Sequence, residues 1–177
     1  MFSVYKEPVV YEKVLTSELC DTILKTTSTM EKSSFNINYE KVIETNIRNS
    51  NSGCIKDINL TNMVFNICEK LIKHKFIPEG LNVVHYETGG FYKRHYDSNE
   101  HILRRDFTFI IALNDGYEGG ETYFPLLDQS FKLKKGDVLF FHNRNTDGTL
   151  AKLSLHEGKT VKSGEKWICN VWVKKLL

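Results

Sequence analysis

The sequence predicts an α+β, mainly β chain: an antiparallel sandwich or jelly roll with N-terminal helices packed on one face. Three observations predict it. Apolar residues recur at helical spacing only before Pro78. Short β-branched and aromatic runs bounded by Gly, Asp or Asn fill the chain after it. Nowhere do strand and helix patterns alternate as a parallel sheet requires.

The first helix follows the candidate caps Thr16 and Ser17, with Leu15, Leu19 and Ile23 recurring every four residues up to a Thr/Ser-rich loop near Thr26 to Thr29. A second begins at Asn59. There Leu60, Met63, Val64, Ile67, Cys68, Leu71 and Ile72 form one wide apolar face, and Pro78-Glu79-Gly80 breaks the pattern. Residues 31–56, rich in Ser and Asn, read as a loop between the helices. Strands are predicted at Leu81–Tyr86, Phe107–Leu113, Glu121–Phe124, Phe131–Leu133, Asp137–His142 and Lys166–Val173. With no repeat or second linker, the chain reads as one domain, 1–177, helical over 1–78 and a jelly-roll core over 79–177.

Composition narrows the function classes. The 177 residues are 41% hydrophobic and 12% aromatic, enough for one self-supporting core. A balance of 24 basic against 22 acidic side chains supplies no large field, so no nucleic-acid partner is expected. Without a long apolar run or a signal-peptide pattern, neither a membrane partner nor secretion is expected. Cys20, Cys54, Cys68 and Cys169 form no CxxC pair and read as reduced thiols, which places the chain in the cytoplasm.

Chemistry concentrates in His95-Tyr96-Asp97, followed by His156 and, ten residues later, Lys166. In an extended segment residues i and i+2 share a face, so His95 and Asp97 can offer an imidazole nitrogen and a carboxylate oxygen to one point. His156 would add the second histidine of a two-histidine, one-carboxylate set, which leaves coordination positions open for chemistry. His142 is a competitor for that place, and His85-Tyr86-Glu87 is a second acceptable metal pair. Lys166 opens a strand on which Lys166, Ile168, Asn170 and Trp172 share one face. A lysine turned inward there needs an anion. Trp167 and Trp172 read as packing residues, His74 and His101 as surface histidines, and Gly89-Gly90 and Gly119-Gly120 as turns.

Four ordered motifs extend this pattern: YETGGFYKRHYD at 86–97, EGGETYFP at 118–125, KGDVLFFH at 135–142 and SLHEGKTVKSGEKWICNVW at 154–172. With them the chain, from about Arg48 to Val173, resembles the prolyl 4-hydroxylase branch of the Fe(II)/2-oxoglutarate-dependent dioxygenases. The resemblance implies the double-stranded β-helix form of the jelly roll. It also implies hydroxylation of a prolyl residue in a peptide or protein, with succinate and carbon dioxide as co-products. His95, Asp97 and His156 match the iron ligands, and Lys166 matches the base that pairs with 2-oxoglutarate. Tyr86 and Thr122 match co-substrate positions, and Tyr92 and Arg105 match positions near the prolyl substrate. The implied cofactors are Fe(II), 2-oxoglutarate and O2, with room for ascorbate as a further one. Ala112 stands where the family often has a tyrosine. Residues 43–53 resemble a loop that closes over substrate, and Phe109, Ile111 and Leu139 are candidates for an apolar wall. Oligomeric state is left open. Alternatives are the same chemistry on a free amino acid, a lysyl residue, a nucleobase or a small molecule, a hydrolytic zinc enzyme, and a silent jelly-roll binding module.

Overall fold

The computed structural model describes residues 4–37, 40–99 and 104–176; His101 lies outside them. Two antiparallel sheets face each other. The major sheet runs Val9–Tyr11, Val138–His142, Phe107–Ala112, Lys166–Lys175, Phe76–Tyr86, Asn51–Cys54 and Glu31–Lys32. The minor sheet runs Gln129–Phe131, Thr122–Phe124, His156–Gly158, Phe91–His95 and Arg48–Asn49.

Period-two alternation divides the major sheet's side chains between two cores. On one face Leu81, Val83, Phe109, Ile111, Val138, Cys169, Val171 and Val173 form a single cluster with Cys20, Ile23, Leu60, Val64 and Cys68 from the helices. On the other face Val84, Tyr86, Ile110, Ala112, Leu139, Phe141 and Ile168 meet Phe124 of the minor sheet. Each face is apolar, which explains why these strands read as continuous hydrophobic runs.

Helix α1 spans Ser17–Thr26, and its cap Thr16 accepts a hydrogen bond from the Leu19 N–H at 3.2 Å. Helix α2 spans Ile58–Ile72. Its cap is Asp57, which accepts from the N–H groups of Asn59 and Leu60, and Lys73 ends it in the left-handed conformation.

Three expectations are corrected. Residues 31–56 are not a plain loop: they contain the strands Glu31–Lys32, Phe35–Ile37, Glu40–Val42, Arg48–Asn49 and Asn51–Cys54. Their polar composition hid them because each is short and lies at or near a sheet edge, where there is little core to bury. At Ser50 the chain leaves the minor sheet and enters the major one, so this segment is a corner of the jelly roll rather than a flap over it. Second, Pro78 and Gly80 do not end the regular structure but lie inside the eleven-residue strand Phe76–Tyr86. Pro78 falls beyond the stretch that Asn51–Cys54 covers and opposite a bulge between Val171 and Val173, a place where a missing N–H is tolerated. Third, the predicted strand at Phe131–Leu133 is Gln129–Phe131, and the extended segments expected to carry His95 and His156, for which no bounds were predicted, are the strands Phe91–His95 and His156–Gly158. Those two carry few apolar residues, because their side chains belong to the site.

Candidate active site

His95 closes the strand Phe91–His95, and Asp97 follows just beyond its end. His156 opens the neighbouring strand and is the cross-strand partner of His95. The register therefore brings the two imidazoles together, with ring centroids 4.3 Å apart. His95 Nε2 lies 3.6 Å from Asp97 Oδ1, and His156 Nε2 lies 3.8 Å from Asp97 Oδ2. One donor atom from each of the three residues falls within 4.8 Å of the others.

Both rings are oriented by main-chain carbonyls. His95 Nδ1 is 2.8 Å from the Lys93 oxygen and His156 Nδ1 is 2.9 Å from the Ser154 oxygen. An Nδ1–H donated to a carbonyl leaves Nε2 as the free lone pair, the arrangement of a ligating histidine. Burial, then the neighbouring His95, pushes His156 down to about 4, so its imidazole is neutral. Burial works to raise the Asp97 carboxyl, but His156, His95 and Arg105 outweigh it and hold the group well below the usual carboxylate range. Asp97 Oδ2 also accepts from the Thr108 hydroxyl at 2.8 Å, and Asn143 Nδ2 donates to the same Thr108 oxygen at 2.9 Å. Two imidazole nitrogens and one carboxylate are the donors that suit an octahedral ferrous ion with open positions. The set fits that metal.

The three residues open on a cavity of about 500 Å³ that also includes Lys166, Thr122, Tyr86, Tyr92 and Arg105. Lys166 is 5% exposed. Its ammonium donates to the Gly120 carbonyl at 2.6 Å and lies 5.4 Å from the Tyr86 ring centre. Burial, then the charge of Lys132, lowers it to about 8. Thr122 and Tyr86 are also buried, so a cation and two hydroxyl-bearing side chains converge where a carboxylate would be stripped of water. This end of the cavity fits the distal carboxylate of 2-oxoglutarate. Gly119 and Gly120, both left-handed (φ +68 and +66), aim the Gly120 carbonyl at Lys166. They are not the expected turn: Gly119 ends the short strand Glu118–Gly119, which pairs with Val161–Ser163 through a bulge, and Gly120 follows it.

Tyr92 stacks on His95 with ring centres 3.6 Å apart. Arg105 is held by Glu79 at 2.7 Å, donates to the Asp97 carbonyl at 3.2 Å and lies 3.9 Å above the Trp172 ring. Every predicted site residue thus reaches one cavity. The competitors do not. His85 bonds Glu165 and stacks on Trp167, and His142 lies on the opposite face of the major sheet beside Phe107 and Phe140.

Phe109 and Ile111 are on the wrong face for an apolar wall: both point into the helix-side core, and Ile110 and Ile168 line the cavity instead. Leu139 lies in the inter-sheet core but does not line the cavity. Trp172 is not mere packing but part of the cavity. Its signal was present in the alternation Lys166, Ile168, Asn170, Trp172. Thr108, Asn143 and Arg48 were missed as site residues, since hydroxyl, amide and guanidinium groups on short segments carry no spacing signature. Ala112 is fully buried in the inter-sheet core beside Tyr117.

Residues 81–174 match the family described as the 2OG-Fe(II) oxygenase superfamily. A protein of Acanthamoeba polyphaga mimivirus that carries the name prolyl 4-hydroxylase is 34% identical over 97% of this chain and 75% of its own. The viral collagen prolyl hydroxylase of Paramecium bursaria Chlorella virus-1, solved as a 2OG complex, shares the fold with a TM-score of 0.73 at 24% identity, covering 97% of both chains. A prolyl hydroxylase of Trichoplax adhaerens, solved with a hypoxia inducible factor oxygen degradation domain peptide fragment, superposes with a TM-score of 0.69 at 16% identity, over 94% of this chain and 82% of that one. With the donor set and the buried lysine already in place, these matches identify the chain as a member of the 2OG-Fe(II) oxygenase superfamily that uses Fe(II) and 2-oxoglutarate.

Proposed function

We propose that this chain hydroxylates a prolyl residue in a peptide or protein, consuming O2 and 2-oxoglutarate and releasing succinate and carbon dioxide. One observation carries the reading: His95, Asp97 and His156 share a single cavity with a buried lysine that, among the described residues, has no carboxylate within ion-pair distance. A hydrolytic site needs the three donors but not the lysine. The names of the similar proteins support proline as the target, and so does the presence of Tyr92 and Trp172 in the cavity lining, which gives it apolar surface for a pyrrolidine ring.

In this proposal His95, Asp97 and His156 hold the metal, and the Asn143–Thr108 pair fixes the direction of the Asp97 carboxylate. Lys166 pairs with the distal carboxylate of 2-oxoglutarate, with Thr122 and Tyr86 beside it. Burial raises the Tyr86 phenol, which stays a neutral hydrogen-bond donor. Tyr92, pushed up to about 12 by burial, does the same at the substrate side, with Arg105 across the cavity. Bound iron activates dioxygen, with 2-oxoglutarate as reductant, and one oxygen atom enters a substrate C–H bond. The chain's part is to bind, orient and exclude water. Residues 1–177 act as one catalytic domain in which the helices back the major sheet.

The test is incubation with Fe(II), 2-oxoglutarate and short proline-rich peptides. Succinate release that depends on both metal and peptide, with one oxygen gained by the peptide in mass spectrometry, is expected. Metal-dependent succinate that no proline peptide stimulates, while a free amino acid or lysyl peptide does, would move the activity to another substrate.

A further inference from the structure

Arg48 is 7% exposed and lines the same cavity, yet its hydrogen-bond partners among the described residues are neutral. Its Nε donates to Ser50 Oγ at 2.9 Å and its Nη1 to the Ser34 carbonyl at 3.3 Å. Its third neighbour is the Tyr86 hydroxyl, and its guanidinium carbon lies 4.6 Å from the Tyr92 ring centre. Among the described residues no carboxylate comes within ion-pair distance of it. Burying a charge without a counter-charge is costly, and neutral donors offset only part of the cost.

The other charges of the cavity are accounted for. Asp97 belongs to the two histidines and the metal, Glu79 neutralises Arg105, and 2-oxoglutarate brings one carboxylate for the metal and one for Lys166. With metal and co-substrate in place, one positive charge is left over, that of Arg48. We infer that Arg48 binds a carboxylate of the substrate, so that the preferred target is a proline with an acidic group close to it in the chain. The inference rests on the prolyl-hydroxylase reading and specifies its substrate class.

The geometry limits where that carboxylate can be. Tyr92 touches both His95 and Arg48, which are joined through one ring, so the guanidinium lies within about 8 Å of the His95 imidazole, roughly two residues of extended peptide. Two sources fit: an Asp or Glu side chain within two positions of the proline, or the terminal carboxylate of a chain that ends at or just after it. The planar fork of arginine suits either.

The experiment measures peptide binding by fluorescence anisotropy to the protein loaded with Mn(II) and 2-oxoglutarate under argon, with turnover measured separately. Blocked peptides carry Glu at one or two positions before or after proline, each against its Gln counterpart; a second set ends at proline as free acid or as amide. At one position, or in the free-acid set, binding should be about tenfold or more tighter than to the neutral counterpart. Arg48→Gln should reduce that ratio to near one, and Arg48→Lys should keep part of it. The position of the ratio names the source. Equal binding of every acid and amide pair to the unaltered protein overturns the inference without any variant. So does Arg48→Gln weakening acid and amide peptides alike, or weakening 2-oxoglutarate instead, which would assign Arg48 to the co-substrate. Turnover separates the two claims: if proline peptides are hydroxylated while the ratio is one, only the Arg48 inference fails, and if the ratio persists while neither the acidic nor the neutral proline peptides are hydroxylated, the prolyl reading fails.

Discussion

Asp97 and Lys166 are both buried and both charged, yet their removal should have opposite signatures. Asp97→Ala takes away a metal donor, so metal content after dialysis and turnover should fall together, each by about 10²-fold or more. Lys166→Ala should leave metal content unchanged and raise KM for 2-oxoglutarate by about 10²-fold, the cost of an unpaired carboxylate. Thr108→Val removes only the hydroxyl that steadies Asp97 and should weaken metal about tenfold while the fold stays intact. The pH dependence follows from Lys166. In the proposed role its ammonium form binds the dianion; the proton is present below the folded pKa of about 8 and lost above it. KM for 2-oxoglutarate should therefore be flat below about pH 8 and rise beyond it, and Lys166→Arg should remove the rise.

At the scale of elements, the bulged strand end at Gly119-Gly120 joins stability to the proposed co-substrate binding. A Cβ on Gly120 would lie 3.1 Å from both Tyr117 and Val161 and 3.2 Å from the Lys166 side chain, at a left-handed φ. Gly120→Ala should cost about 1–3 kcal/mol in denaturant unfolding and also raise KM for 2-oxoglutarate. Gly116→Ala, where nothing lies within 4 Å, should do neither. The legibility of the elements has the same physical basis. Helices α1 and α2 and the four central major-sheet strands, Val138–His142, Phe107–Ala112, Lys166–Lys175 and most of Phe76–Tyr86, were readable because burial on one or both faces imposes periodic apolar residues. His95, Asp97, His156 and Lys166 were readable because chemistry fixes their types and spacing. Arg48–Asn49 and Asn51–Cys54 were not, since Ser, Asn and Gly there serve a corner and a cavity wall and bury little. The inward side of Phe107–Ala112 was likewise ambiguous: both faces are covered, so hydrophobicity alone could not distinguish Phe109 from Ile110.

For the whole molecule, the major sheet separates two cores with different duties. Val64 is fully buried against the helix-side face. Val64→Ala should lower stability by about 1–3 kcal/mol and leave KM values unchanged, because none of the residues lining the cavity belongs to that core. His142, on the same side, is pushed down to about 4 by burial and then by Lys6 and Lys175. Unfolded, it takes up a proton near 6.5; folded, it resists until about 4. Stability should therefore fall as pH drops through that window, and His142→Phe should make the fall in melting temperature shallower. The Ser50 corner has a different consequence. The same few residues stitch one sheet to the other and carry Arg48 into the cavity, so the spacing of the sheets and the choice of substrate are not independent. Attempts to retarget the enzyme by shortening or lengthening this stitch would open the seam of the barrel before they altered selectivity, whereas exchanging side chains on an unchanged backbone would reshape selectivity alone.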